Sequence, residues 1–140
     1  MALSRKADYA LRAMVELSVD ESSLISTKEL AEKTQVPYAF MSKIVTGLAE
    51  RNLVEILRGS AGGVRITADP SKTTALQVVE ATSGRLYLNK CVSEPESCPR
   101  TSFCSMHPML ASAQKQLAKA LSIDLRSLAK SQQRKLRKVS

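Results

Sequence analysis

All three cysteines of this 140-residue chain and its single histidine fall in one short stretch, at Cys91, Cys98, Cys104 and His107. Thiolates and imidazoles are the side chains that bind soft transition metals, so this grouping of the scarcest residue types points to a metal centre. Pro95, Pro99 and Pro108 punctuate the segment, and a loop is expected there, able to wrap around a cofactor as a regular helix cannot. His107 follows Cys104 by three residues, a spacing that puts both on one face once helical geometry begins. Three Cys and one His form a regular tetrahedral zinc set, and on residue types alone zinc is the first reading. Free thiols are a further reading. A thiol nucleophile with His107 as base is the last, but no second polar group is evident to orient the histidine, so no enzyme is expected.

The remaining composition sets the scale. The hydrophobic fraction of 44% supports a core, and with 4% aromatic residues and no Trp that core is mainly aliphatic. Charged residues interrupt every apolar run well before the roughly 20 residues of a membrane span. Arg5, Lys6, Asp8 and Arg12 break any secretory signal. A cytoplasmic protein with reduced thiols is expected. The net charge of +8 suggests an anionic partner. Its distribution weakens that inference, because residues 1–90 hold 12 bases and 10 acids while residues 91–140 hold 9 and 3. Lys130, Arg134, Lys135, Arg137 and Lys138 crowd the C-terminal end, and residues 131–140 read as a disordered basic tail.

Upstream of the cysteines, Ser4 caps a first helix with Ala7, Ala10, Leu11, Met14 and Val15 on one face. Ser26 to Glu29 is a capping box for a short second helix. Val36-Pro37 opens a third, with Pro at the first helical position. Phe40, Met41, Ile44, Val45 and Leu48 form its buried stripe, and Tyr38, Ala39, Ser42, Lys43 and Thr46 its outer side. Strands at Leu53–Leu57 and Val64–Thr67 flank a glycine-rich turn. Two short helices followed by a hairpin describe a winged helix-turn-helix, whereas the two helices alone would equally suit an ordinary helical hairpin. Arg58 and Arg65 on the wing are placed to reach phosphates or a narrow minor groove. A fourth helix carries Leu76, Val78, Val79 and Ala81. Beyond Pro108 a long helix with Leu110, Ala113, Leu117, Ala120 and Leu121 along one side is expected to pair with its copy in a dimer; folding back on its own domain is the other course open to it. Leu125 and Leu128 start a further short helix. The expected architecture is mainly α with a small β-hairpin wing: a DNA-binding domain at 1–84, a cluster-binding loop at 85–107 and a dimerisation helix region at 108–130.

These residues together closely resemble the Rrf-two family of bacterial winged-helix regulators, over about residues 1–130. The resemblance rests on the opening Leu3-Ser4-Arg5-Lys6-Ala7-Asp8-Tyr9-Ala10-Leu11-Arg12, on the wing Arg58-Gly59-Ser60-Ala61-Gly62-Gly63-Val64-Arg65-Ile66, and on the cysteine group. It implies a homodimer on palindromic promoter DNA, acting as a repressor under an iron–sulfur cluster that senses iron or cluster status, nitric oxide or redox state. The IscR-like branch implies a 2Fe–2S cluster on Cys91, Cys98, Cys104 and His107. The NsrR-like branch uses an Asp of the partner subunit as fourth ligand of a 4Fe–4S cluster, and Asp8 falls at that place. Asp8 is also spaced to pair with Arg12, worth about 0.2–0.5 kcal/mol. A cluster-free branch, the CymR-like one, generally lacks the three-cysteine set. The gap from Cys91 to Cys98 is one residue longer than the commonest family spacing, and Ser42 stands where the IscR-like pattern has a Glu. For DNA, Lys28, Lys43, Arg58 and Arg65 are the leading candidate contacts, with Ser26, Tyr38, Ser42 and Thr46 behind them.

Overall fold

The computed structural model describes residues 3–140. Helix α1 (Arg5–Leu17) starts where the Ser4 hydroxyl accepts the Ala7 N–H at 3.1 Å, and it buries Ala7, Ala10, Ala13, Met14 and Leu17. Three small alanines on that face let neighbouring helices approach closely. At α2 (Thr27–Thr34) the Ser26 hydroxyl accepts from the Glu29 N–H at 3.1 Å. The Glu29 carboxylate pairs with Lys33 at 3.2 Å, not with the cap as a full capping box would have it. Gln35, left-handed at φ 56°, ends α2. Pro37 is the cap of α3 (Tyr38–Glu50) rather than its first residue. Met41, Ile44, Val45 and Leu48 are buried, but Phe40, expected among them, is 47% exposed and lies edge-on to Tyr9 at 5.8 Å. It stands at the margin of the buried arc, where α1 offers a surface aromatic ring.

Strands β1 (Val54–Leu57) and β2 (Gly63–Ile66) pair antiparallel with Val54 opposite Ile66 and Glu55 opposite Arg65. The turn depends on glycine twice: Gly59 has φ 102°, and a Cβ on Gly62 would fall 1.9 Å from the Leu57 carbonyl oxygen. Val64 exchanges both backbone hydrogen bonds with Ile25, at 2.7 and 3.1 Å, tying the hairpin to the body. Helix α4 (Ala75–Ser83), capped reciprocally by Thr74 and Gln77, makes the most extensive helix contact of α1. Two short helices and a hairpin on one aliphatic core are a winged helix-turn-helix.

The second half departs from expectation in two places. The cysteine segment is partly helical: α5 (Lys90–Ser93) is followed by a 3-10 turn at Pro95–Ser97, and α6 (Met106–Ala120) takes His107 and Pro108 into its first turn. A proline is harmless there, since its missing N–H would have no helical partner. Residues 131–140, expected as a disordered tail, continue α7 (Leu125–Val139) almost to the end. Its apolar side explains the order. Leu125 and Ala129 are buried, Gln132 reaches Glu16 at 2.9 Å, and Asp124 accepts the Ser127 N–H at 2.9 Å as cap. From Ser83 to Asp124, by contrast, no residue is buried. This excursion leaves from the end of α4 and returns to its start, where Ala75 and Leu76 donate to the carbonyls of Ile123 and Leu121 at 2.9 and 2.8 Å. Among the described residues no helix is long and apolar enough to cross a membrane.

Candidate nucleic-acid interface and metal-ligating segment

The outer face of α3 is open: Tyr38, Ser42, Lys43 and Thr46 are exposed, and Met41, Ile44 and Leu48 pin the opposite face into the core. The Thr46 hydroxyl donates to the Ser42 carbonyl at 2.9 Å, leaving its lone pairs outward. Lys28 is exposed on the first turn of α2 and lines a shallow hollow with Gln35 and Tyr38. Ser26 is committed to its cap. On the wing, Arg58 is exposed and in no ion pair among the described residues. Arg65 differs from expectation. It stands opposite Glu55 in the hairpin register, its Nε donates to Glu55 Oε1 at 2.8 Å, and Nη2 bonds the same oxygen. Sequence reading placed Arg65 for phosphate contact without its ion pair, because the cross-strand partner emerges only once the register is set. It also passed over Lys6 and Arg51, which flank α3 beside Ser42 and Lys43. Lys6 belongs to another helix, so no local pattern could have shown it.

The three cysteines are free and half-buried. Cys91 sits in α5, whose cap Asn89 accepts the Lys90 N–H at 3.0 Å and donates through Nδ2 to Cys91 Sγ at 3.5 Å. Cys98 follows the 3-10 turn, where the Thr101 hydroxyl donates to the Cys98 and Pro95 carbonyls at 3.0 and 2.8 Å. Cys104 accepts the His107 N–H on its carbonyl at 3.3 Å. His107 Nδ1 is buried and has no hydrogen-bond partner, a condition that normally costs about 1–3 kcal/mol. In kind, three thiols and an orphaned imidazole nitrogen fit an iron–sulfur centre or zinc. They are not gathered: among the described residues no three metal-capable side chains converge.

Asp8 is engaged elsewhere. Arg12 grips both its carboxylate oxygens, Nε to Oδ1 at 3.1 Å and Nη2 to Oδ2 at 2.8 Å, and also donates to the Thr34 carbonyl at 3.3 Å. One side chain closes the cysteine segment on itself, and a hydrogen bond beside it reaches α4. Gln114 of α6 donates to the Leu86 carbonyl and accepts the Leu88 N–H, both at 2.8 Å, while the Leu86 N–H reaches Glu80 of α4 at 3.3 Å.

Comparison with known proteins places these features. The sequence profile described as "Rrf2: Iron-dependent Transcriptional regulator" matches residues 3–131. The HTH-type transcriptional repressor NsrR of Streptomyces coelicolor is 30% identical over 123 residues, covering 86% of this chain and 82% of that protein. Protein aau3 of Rhizobium meliloti is 30% identical over 114 residues, or 81% and 74% of the two chains. Among solved structures, CymR, the global cysteine regulator of B. subtilis, superposes with a TM-score of 0.75 at 20% identity, covering 94% of this chain and 98% of its own. IscR of T. potens does so with 0.74 at 20%, covering 94% and 88%. The structural likenesses establish the winged-helix fold.

Proposed function

The chain belongs to the Rrf2 family of transcriptional regulators, and from that membership we propose that it is a homodimeric repressor whose operator binding is governed by an iron–sulfur centre on Cys91, Cys98, Cys104 and His107. Membership in a family of regulators removes the thiol-nucleophile alternative. The observation that carries the metal reading is the orphaned Nδ1 of His107 in the same stretch as three free thiols. It favours His107 over Asp8 as fourth ligand, because both Asp8 oxygens are already taken by Arg12.

When bound, the cluster supplies a redox- and nitric-oxide-sensitive centre on thiolate ligands. The chain does the rest. The core of α1 to α4 holds the outer face of α3 toward the major groove, with Ser42, Thr46 and Tyr38 for base and backbone contact and Lys28 and Lys43 for phosphates. Arg58 reaches past the wing, and Arg65 joins it only by sharing or leaving Glu55. The apolar side of α6, with Leu110 and Leu117 only half-buried in one chain, supports pairing with a second copy. In such a dimer the two recognition helices address half-sites about one helical turn apart. A signal at the cysteines reaches the DNA-binding domain as a population shift.

Anaerobic purification with a visible spectrum and iron, sulfide and zinc analysis tests the reading. A coloured protein containing iron and sulfide is expected. Zinc without sulfide, or thiols with no metal, would replace it with a structural-zinc or cluster-free regulator. His107→Ala should alter the spectrum and Asp8→Ala should not; the reverse result transfers the fourth ligand to the partner subunit's first helix.

A further inference from the structure

Gly47 lies in the middle of α3, on neither a turn nor a left-handed segment, and a Cβ built there meets only the end of Arg51, at 4.0 Å. That is ordinary contact. Nothing inside the chain therefore excludes alanine, although glycine is the poorest helix former after proline. The surroundings show what the empty space faces. Gly47 floors a groove of about 370 Å³ between the first turn of α1 and the outer face of α3, with Lys6 on one wall and Lys43 and Arg51 on the other. None of these three cations is in an ion pair among the described residues. Arg51 Nη1 donates to the Gly47 carbonyl at 3.2 Å, which holds the guanidinium over the floor. The one acid of the groove is Glu50.

We infer that this groove is a seat for a DNA backbone phosphate, cradled by Lys6, Lys43 and Arg51, and that Gly47 is glycine to let the sugar–phosphate chain lie against the helix. The inference rests on the DNA-binding reading above and deepens it. The groove continues the face carrying Ser42 and Thr46, so a phosphate held here fixes how α3 enters the major groove. Such contacts orient the protein without reading sequence. They also appear directly in salt dependence, because each phosphate neutralised adds about 0.9 to the slope of log affinity against log salt.

The test is titration of the full chain with a labelled mixed-sequence duplex across a salt series, alongside thermal unfolding. Gly47→Ala should raise Tm by about 2–4 °C while weakening duplex binding by about tenfold or more. Lys6→Ala with Arg51→Ala should lower the salt slope by about 0.9 for each contact removed. A Gly47→Ala protein that binds as wild type, or that loses stability, overturns the inference, as does a double variant with an unchanged slope. A wild-type chain that fails to bind duplex at low salt overturns the DNA-binding reading itself, and this inference with it.

Discussion

The winged domain and the excursion from residue 84 to residue 121 are built on different principles. In the first, α1 to α4, the hairpin and α7 share one core in which Met14, Leu30, Met41, Leu48 and Leu125 are fully buried. In the second, α5 and α6 bury nothing; Gln114 ties α6 to Leu86 and Leu88 within the excursion, and the links to α4 are the Leu86–Glu80 bond and the backbone bonds from Ala75 and Leu76 to Ile123 and Leu121. A region that closes its own hydrophobic surface needs no partner to fold. The excursion leaves Phe103, Met106 and Met109 more than half exposed, and under the proposed function a second chain or a bound metal would complete it. Under the proposed function that division suits a sensor, since ligand-responsive elements come from the less stable parts of a fold.

The largest effect that could break the comparison is core truncation. Leu48→Ala should lose about 2–5 kcal/mol of unfolding free energy by urea titration, and Leu117→Ala in α6 far less at protein concentrations where the chain is monomeric. Equal losses would mean that the excursion belongs to the same cooperative unit. Gln114→Ala sharpens the boundary. Removing its two hydrogen bonds should cost about 0.5–1.5 kcal/mol each, read as faster amide exchange at Leu88 while the amides of α1 and α3 keep their protection. Uniform acceleration would show that Gln114 supports the whole fold.

The smallest effect concerns the return point, Asp124, and the loop residues Asp20 and Asp69. Each carboxyl lies below its ordinary value of 3.8, chiefly because a serine two or three residues on donates to it: Ser127, Ser22 and Ser71 respectively. A folded-state value below the unfolded one means that the stabilisation is present above about pH 4 and is lost as pH falls through the depressed values. The urea midpoint should therefore drop between pH 5 and pH 3, and Asp124→Asn should shrink that drop. An unchanged pH profile in the variant would show that the cap of α7 does not contribute to it.

Much of the winged domain was legible because its signals are local. The Ser4 cap, the Met41–Leu48 stripe and the glycine turn each depend on neighbours within a few residues. The candidate DNA face followed from the same periodicity. What escaped has long range. The ion pair of Arg65 emerged only once β1 brought Glu55 opposite it, Lys6 joined α3 only through helix packing, and the C-terminal bases looked disordered because the surface that orders α7 is α1, more than a hundred residues away. Composition marked the candidate donors of the cysteine segment, and their clustering in sequence is not the same as convergence in space.

Sequence by itself determined the helices of the winged domain, the hairpin and the donor types, Cys91, Cys98, Cys104 and His107, since caps, periodicity and side-chain chemistry are properties of short stretches. Tertiary structure alone decided which groups are spent and which are free: Glu55 holding Arg65, His107 Nδ1 left without a partner, and Gly47 facing a basic groove in which a Cβ would meet only the end of Arg51. A side chain's availability depends on every neighbour the fold brings within a few ångströms, and those neighbours are distant in sequence.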